Sequence, residues 1–227
     1  LASVDTVLAT CRCYPGYAYP MIGLHPEEVK DDWKGVLAEM KGMLDRSVKL
    51  SGASANDCRF IAVGEVGIDY YWSREYEKEQ LEVFEEQVRW SVEYGLPLMI
   101  HCRKGQNEMV RILRRYEKEL PGGVFHCFTG NEKEAAELLS FDKFVLGVGG
   151  VLTFKKSHLP EVLPSIPVNR IVLETDAPYM APVPMRGKRN ESAYVRYVLE
   201  RMAECYGMSC DELADITEAT VDRVFFR

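Results

Sequence analysis

The chain has 227 residues, of which 47% are hydrophobic and 28% are charged, and its formal net charge is −7. This length exceeds that of a minimal module, and the composition allows a sizeable core. No apolar run approaches the length of a membrane-spanning helix, so the sequence predicts no such span. The negative charge argues against tight duplex-DNA binding driven by phosphate neutralisation, although bound cations can supply positive charge locally.

The seven cysteines are odd in number and irregularly spaced, and none of them form a CxxC pair. In a chain of this size the pattern predicts free thiols in a reducing compartment, and we therefore expect a cytoplasmic protein. The same spacing argues against zinc held by cysteines. The chain begins with Leu1, and no signal-peptide pattern is visible there.

Seven short apolar runs rich in Val, Ile and Phe predict β-strands. They cover residues 4–9, 19–24, 60–66, 98–100, 124–128, 144–148 and 170–173. Most are followed by apolar residues at three- and four-residue steps, which predict helices. These helical stripes are Leu81, Phe84, Val88 and Val92, then Met109, Ile112, Leu113 and Tyr116, then Val195, Val198, Leu199 and Met202. Gly95 and Gly207 end the first and last stripes, and Ser209 with Glu212 has capping-box spacing for a final helix.

Alternation of near-continuous apolar strands with helices predicts an α/β fold with a parallel sheet buried on both faces. Seven strands fit a TIM-type (β/α)8 barrel that lacks its first strand, forming one domain over residues 1–227. An open doubly wound sheet is the alternative. We favour the barrel because ionisable residues sit at the carboxyl ends of several different strands, where barrel enzymes keep their active sites.

The first two runs are too close together for this fold. Only Tyr14, Pro15 and Gly16 separate Cys13 from Tyr17, whereas a crossover between parallel neighbours needs about ten or more residues. We therefore infer that an early helix is missing between the two runs.

Five ionisable residues follow or end apolar runs: His25, Glu65, His101, His126 and Asp176. Each is costly to bury unless it is paired or ligated. In a parallel barrel the strand ends converge on one pocket, so we expect these side chains to be neighbours. Scattered, individually satisfied polar residues are the alternative, which competes most closely at His25 because Pro26 begins a turn there. His158 lies in a polar stretch and is predicted to be a surface residue.

Four of these residues form a predicted metal-binding set: Glu65, His101, His126 and Asp176. Two imidazoles and two carboxylates suit Zn²⁺, or Mn²⁺ and Mg²⁺ if oxygens and water complete the shell. A bound metal would lower the pKa of a water molecule, and Asp176 would then accept its proton or help to hold it.

Six motifs, in this order, resemble the TatD family of metal-dependent deoxyribonucleases, within the amidohydrolase-like barrels. They are GLHPEEV, AVGEVGIDYYW, PLMIHCRKG, VFHCFTGN, VLETDAPYMAP and RGKRNES. The resemblance runs from about Ile22 to the C-terminus. Each motif is weak alone, but all six in order form a specific signal.

The resemblance implies roles for particular residues. It implies that Glu65 bridges metals, that His101 and His126 bind metal, and that Asp176 binds metal and handles the proton. It also implies that His25 lies at the substrate phosphate, with Arg103 nearby. The family usually opens with an HxH pair that supplies two further ligands, and no HxH occurs in this sequence. One or two divalent ions, Mg²⁺, Mn²⁺ or Zn²⁺, are therefore expected.

Basic residues follow the Asp176 strand and are candidates for phosphate contact, namely Arg186, Lys188 and Arg189. In the RNE sequence, Asn190 and Glu191 are candidates for fixing that loop instead. Residues 70–72, two tyrosines and a tryptophan, are candidates for stacking on bases or for packing.

The predicted function is metal-dependent hydrolysis of DNA phosphodiester bonds, and the resemblance further implies attack near the 3′ end of single strands. Two alternatives remain open. The same barrel and ligands serve amide or ester hydrolysis, and a barrel without its HxH pair is compatible with a non-catalytic protein with a degenerate metal site. No membrane partner is expected, and a monomer is the expected oligomeric state.

Overall fold

The computed structural model describes residues 1–49 and 58–226 of the chain. It divides into two compact units, Leu1–Pro121 and Gly122–Arg227. Among the described residues, no helix combines the length and the apolar character that crossing a membrane requires.

The first unit alternates helices with parallel strands. Its helices are α1 (Ala2–Cys13), α2 (Trp33–Lys49), α3 (Glu77–Tyr94) and α4 (Gln106–Tyr116), and its strands are β1 (Met21–Ile22), β2 (Ala62–Asp69) and β3 (Leu98–Arg103). Strand β2 pairs in parallel with β1 on one side and with β3 on the other. The carboxyl ends of these strands therefore lie at the same edge of the sheet.

The second unit has the same alternation. Its strands are β4 (Gly123–Phe125), β5 (Phe144–Val148) and β6 (Ile171–Leu173), and its helices are α5 (Glu132–Leu139), α6 (Leu159–Val162), α7 (Val195–Tyr206) and α8 (Cys210–Phe225). Strand β5 pairs in parallel with β4 and with β6. All five residues of β5 are buried, as expected for a parallel strand covered on both faces.

Helix α3 shows how the predicted apolar stripe becomes a packed face. Phe84, Val88 and Trp90 are fully buried, and Gly95 ends the helix in the left-handed conformation with φ 65°, which glycine adopts without steric cost. The buried face also contains Gln80 and Gln87, which hydrophobic periodicity did not predict.

The prediction of a strand over residues 4–9 is wrong, because these residues lie within helix α1. Val4 and Leu8 are half-buried and Cys11 is buried, which is the i, i+4, i+7 spacing of one helix face. A short apolar run does not by itself distinguish a strand from a helix. The inference of a missing early helix is therefore also wrong, since the short connection after Cys13 joins a helix to strand β1.

Strands β2 and β3 approach closely at Gly67. This residue pairs with His101 in the parallel register, and the register shifts between Val63 and Val66, so that Gly64 and Glu65 form a bulge. A Cβ atom on Gly67 would lie 1.8 Å from the backbone oxygen of His101, and its φ is +150°. Only glycine fits there, because any side chain would push the two strands apart.

Replacing Gly67 with alanine is therefore expected to lower the free energy of unfolding by about 2–3 kcal/mol, measured by urea denaturation. Gly42→Ala in α2 is the matched control, because its Cβ would make an ordinary contact 3.5 Å from Arg46 Nη1. Replacing a glycine inside a helix with alanine raises the free energy of unfolding by about 0.5–1 kcal/mol. Equal stability of the Gly67 variant and the unchanged protein would contradict the close approach.

Candidate metal centre

In the first unit, three chain segments bring ionisable side chains to the carboxyl edge of the sheet. His25 follows β1, Glu65 lies in the β2 bulge and His101 lies in β3. Glu65 Oε1 is 3.4 Å from His25 Nε2 and 3.1 Å from His101 Nδ1. The two imidazole rings meet edge to face with centroids 4.6 Å apart. The predicted neighbourhood of these three residues is thus present within one unit.

The backbone determines the tautomer of His25. This residue is the N-cap of a 3₁₀ turn over Pro26–Glu28, and its Nδ1 accepts a hydrogen bond from the backbone N–H of Glu27 at 3.2 Å. A neutral imidazole has one donor and one acceptor nitrogen, so the proton of neutral His25 is on Nε2. His25 therefore presents an N–H donor on the side that faces Glu65.

His101 lies between two carboxylates of the neighbouring strand. Its Nδ1 faces Glu65, and its Nε2 is 2.8 Å from Oδ2 of Asp69. Asp69 is two residues beyond Gly67 on β2, and its side chain is only 1% exposed. The other oxygen of Asp69, Oδ1, accepts a hydrogen bond from the backbone N–H of Tyr71 at 2.7 Å. The sequence analysis missed Asp69, although a carboxylate in a buried strand is as costly as Glu65.

Two buried glutamines of α3 hold the backbone around this cluster. The side-chain amide of Gln80 bonds both the N–H and the carbonyl of Asp69, at 2.9 and 3.0 Å. Gln87 bonds both backbone groups of Leu24, the residue before His25, at 2.6 and 3.2 Å. The two glutamines are seven residues apart, which places both on one helix face. Helix α3 thus positions two of the three strand ends.

The donor set fits a divalent cation. One nitrogen or oxygen atom of each of His25, Glu65 and His101 lies within 4.8 Å of the others, and Glu27, Asp69 and His101 form a second grouping of this kind. Mixed imidazole and carboxylate donors suit Zn²⁺ and Mn²⁺. Because His25 Nε2 carries the proton in the neutral ring, Glu65 and His101 are the better ligands of the first grouping.

Cys102, the neighbour of His101, does not join this donor set. Burial raises the pKa of its thiol to about 12. With no metal beside it, the thiol therefore stays protonated at neutral pH, and a protonated thiol is a poor nucleophile.

Basic and aromatic side chains lie beside the cluster. The guanidinium of Arg103 is 4.2 Å from the ring centroid of Tyr71, and the Lys104 ammonium is 4.8 Å from the same centroid. Tyr71 meets Trp72 edge to face, and Trp72 is 71% exposed. Tyr70 is buried instead, and burial raises its pKa to about 12. Of residues 70–72, only the last two are available for stacking.

In the second unit, His126 follows β4 and lies against Glu174, which follows β6. His126 Nδ1 is 3.4 Å from Glu174 Oε1, and the two side chains are 10% and 16% exposed. The same oxygen accepts a hydrogen bond from the backbone N–H of Cys127 at 2.8 Å. Glu174 thus orients His126. The sequence analysis missed this residue, although it lies two positions before Asp176 at the end of a strand.

Asp176 lies in a loop that a buried asparagine holds. Its φ of 54° is in the left-handed region, which aspartate tolerates better than most residues. Asn190 is 2% exposed and donates to the carbonyls of Thr175 and Tyr179 at 2.6 and 2.5 Å, while its Oδ1 accepts from the N–H of Glu191 at 2.9 Å. The loop-fixing role considered for Asn190 is therefore observed.

The remaining candidates are exposed. Arg186 places its guanidinium 3.9 Å from the ring centroid of Phe154, and Arg189 lines a surface pocket of about 440 Å³ together with Pro178 and Asn190. His158 has a 90% exposed side chain, so its prediction as a surface residue is confirmed. Of the predicted site residues, the first unit contains His25, Glu65, His101 and Arg103, and the second contains His126, Asp176, Arg186 and Arg189.

Comparisons with known proteins agree with this donor chemistry. The family described as TatD related DNase matches residues 1–226. The metal-dependent hydrolase YabD of Bacillus subtilis is 39% identical over 92% of this chain and 78% of its own length. The protein named 3′-5′ ssDNA/RNA exonuclease TatD of Pectobacterium parmentieri is 31% identical over 94% of this chain and 80% of its own length.

A solved structure shows the same fold. The TatD homologue YjjV of Escherichia coli matches with a TM-score of 0.84 at 26% identity, over 100% of this chain and 83% of its own chain. This neighbour has a TIM-barrel-like fold, which confirms the predicted fold class.

In Asn190→Ala, trypsin is expected to cleave within residues 177–189 about tenfold faster than in the unchanged protein. Losing the hydrogen bonds of a buried amide costs about 1–3 kcal/mol, which favours local opening of this loop. Arg186, Lys188 and Arg189 supply exposed cleavage sites. Asn107→Ala on the exposed face of α4 is the control and should leave the digestion rate unchanged. If both variants resist trypsin equally, the loop holds its conformation without this amide.

Proposed function

Because the chain belongs to the TatD related DNase family, we propose that it is a metal-dependent hydrolase that cleaves DNA phosphodiester bonds from the 3′ end of single strands. Family membership confirms the resemblance predicted from the six motifs. The observation that carries the proposal is the placement of Glu65 within 3.4 Å of both His25 and His101. Carboxylate and imidazole donors at one sheet edge are the residues that hold a hydrolytic divalent ion.

We assign the metal-ligand positions to Glu65, His101, His126 and Asp176. A divalent ion bound by ligands of these kinds would supply Lewis acidity, which would polarise a phosphoryl oxygen and lower the pKa of a nearby water. The carboxylates of Glu65 and Asp176 also serve as proton acceptors for the attacking water. The ring of His126 is held in place by Glu174, so that its direction is fixed before substrate binds.

Substrate phosphate is assigned to the donors beside these ligands. His25 presents its Nε2–H, because its Nδ1 is occupied by the backbone of Glu27. Arg103 is held over the Tyr71 ring, which limits the conformational freedom it loses on binding an anion. Arg186 and Arg189 are proposed to contact phosphates farther along the strand.

Charge and aromatic exposure support the proposed preference for single strands. The net charge of −7 argues against duplex binding driven by broad phosphate neutralisation. Trp72 and Tyr71 offer faces and edges for unpaired bases, which stack without sequence preference. The related Pectobacterium protein is named as an exonuclease of single-stranded DNA and RNA, which supports the same substrate class.

We further propose that the protein acts in the cytoplasm and as a monomer. Seven cysteines, odd in number and irregularly spaced, suit a reducing compartment.

The first measurement is digestion of an end-labelled single-stranded oligonucleotide by the full-length protein with Mg²⁺ or Mn²⁺. Shortening from the 3′ end is expected, and EDTA should stop it. Glu65→Gln and Asp176→Asn should each lower the rate on the order of 1,000-fold or more, because an amide replaces a carboxylate that acts as ligand and base. The far-ultraviolet circular dichroism of both variants should match that of the unchanged protein.

Each variant also controls for a contaminating nuclease, provided that it is purified in the same way. Normal turnover in either variant would contradict the assignment of the site. Absence of cleavage of any oligonucleotide with any metal, together with cleavage of a carboxylic ester, would show an amidohydrolase-type activity instead.

Trp72→Ala is expected to raise KM for the oligonucleotide about fivefold to 150-fold while kcat changes less than about twofold, because stacking on one base contributes about 1–3 kcal/mol. Tyr17→Ala is the control, since Tyr17 is 86% exposed but lies before β1, at the amino end of that strand. An unchanged KM in the Trp72 variant would show that the substrate bases do not stack there.

A further inference from the structure

We propose that Asp69 is a positioning residue that keeps a proton on Nε2 of His101 and thereby makes Nδ1 the metal-binding atom of this ring. A histidine that binds a metal through one nitrogen usually donates its other N–H to a carboxylate or carbonyl, which fixes both tautomer and orientation. Asp69 has the position, burial and hydrogen bonds for this role. The inference concerns the metal centre of the proposed function, but its test does not depend on the substrate.

The two oxygens of Asp69 have separate partners. Oδ1 accepts from the N–H of Tyr71 at 2.7 Å, and Oδ2 is 2.8 Å from His101 Nε2. The backbone on which this carboxylate sits is held by Gln80 through two hydrogen bonds. Contacts at Oδ1, at Oδ2 and at the backbone therefore fix the direction of the Asp69 side chain. An ionised carboxylate only accepts hydrogen bonds, so the group that faces it across 2.8 Å must be an N–H.

The carboxylate on the other side of the ring differs from Asp69. Glu65 is 3.1 Å from Nδ1 and its side chain is 36% exposed, against 1% for Asp69. Glu65 faces the ring nitrogen that carries no proton in this tautomer, and its exposure lets a cation enter between Oε1 and Nδ1. Asp69 is enclosed, and the ring N–H is the close partner of its Oδ2, because the Arg103 guanidinium lies farther away at 3.9 Å. Losing that N–H would leave a buried oxygen without its hydrogen bond. The proton therefore stays at Nε2 when a cation binds beside Glu65.

The competing arrangement would place the cation at Nε2, between Glu27, Asp69 and His101. That arrangement requires Nε2 to give up its proton and Asp69 Oδ2 to turn from the ring to the ion. Glu27 is exposed and takes part through its backbone N–H in the cap on His25. We therefore use Glu27→Gln as the control that separates the two arrangements.

Asp69→Asn tests the role directly. The Tyr71 N–H still needs an acceptor, so the amide oxygen takes the place of Oδ1 and the NH₂ group faces His101. The ring must then accept at Nε2, which moves its proton to Nδ1, the atom that faces Glu65. We expect the affinity for Zn²⁺, measured by competition with a chromogenic chelator, to fall about 10- to 100-fold.

Asp69→Ala should differ from Asp69→Asn in both Zn²⁺ affinity and stability. It removes the partner without imposing the wrong tautomer, so its loss of Zn²⁺ affinity should be smaller than that of Asp69→Asn. Its loss of stability should be larger, because it leaves a cavity and an unpaired Tyr71 N–H. A merely structural role would make the alanine variant worse in both measurements, and that result would overturn the proposal.

The unchanged protein supplies a readout that needs no variant. In the Zn²⁺-loaded full-length protein, ¹⁵N–¹H correlation spectra of the imidazoles should show His101 protonated at Nε2 and metal-bound at Nδ1. The same spectrum is expected for Glu27→Gln, with unchanged Zn²⁺ affinity. Metal at Nε2, or a loss of affinity in Glu27→Gln, would establish the competing arrangement. Failure of DNA cleavage with this spectrum intact would reject the proposed nuclease activity and leave the tautomer assignment standing.

Discussion

Polar groups at the carboxyl ends of these strands are largely removed from water, so each needs a partner within the protein. The structure meets this constraint with side-chain amides. Gln80 and Gln87 bond the backbone of Asp69 and Leu24, and Asn190 bonds the carbonyls of the loop around Asp176. Because an amide offers a donor and an acceptor together, it can hold both backbone groups of one residue. The ionisable side chains that follow are thereby directed by groups that do not titrate.

Charge is distributed unevenly around the proposed metal centre. The chain as a whole is acidic, and two of the four proposed metal ligands, Glu65 and Asp176, are carboxylates. Two cations in the first unit, Arg103 and Lys104, lie over the face of Tyr71. An aromatic partner attracts a cation without neutralising it, so the positive charge remains available to a phosphate. In the proposed function, attraction for nucleic acid is therefore local, which suits a strand end more than a long duplex.

Much of the fold was predictable because burial leaves a repeating signature. Residues 144–148 form a strand with the bounds that the apolar run predicted. All positions of a parallel strand covered on both faces are apolar, so the apolar run and the strand begin and end at the same residues. The helix over residues 4–9 was not predicted, because a short apolar run contains too few turns to reveal a 3.6-residue period. The predicted cluster of His25, Glu65 and His101 was visible from strand ends. Asp69 and Glu174 act through residues distant in sequence, and periodicity carries no information about such pairs.

His25 links the order of a loop to the occupancy of the site. Its Nδ1 accepts the N–H of Glu27, which caps the turn over Pro26–Glu28, while its Nε2–H points toward Glu65. Hydrogen bonds through one ring polarise each other, so an anion that accepts from Nε2–H makes Nδ1 a better acceptor. If His25 donates to the substrate phosphate as proposed, a filled site should hold this turn more tightly, and the amide hydrogen of Glu27 should then exchange with solvent more slowly. A single backbone proton becomes a natural reporter of binding.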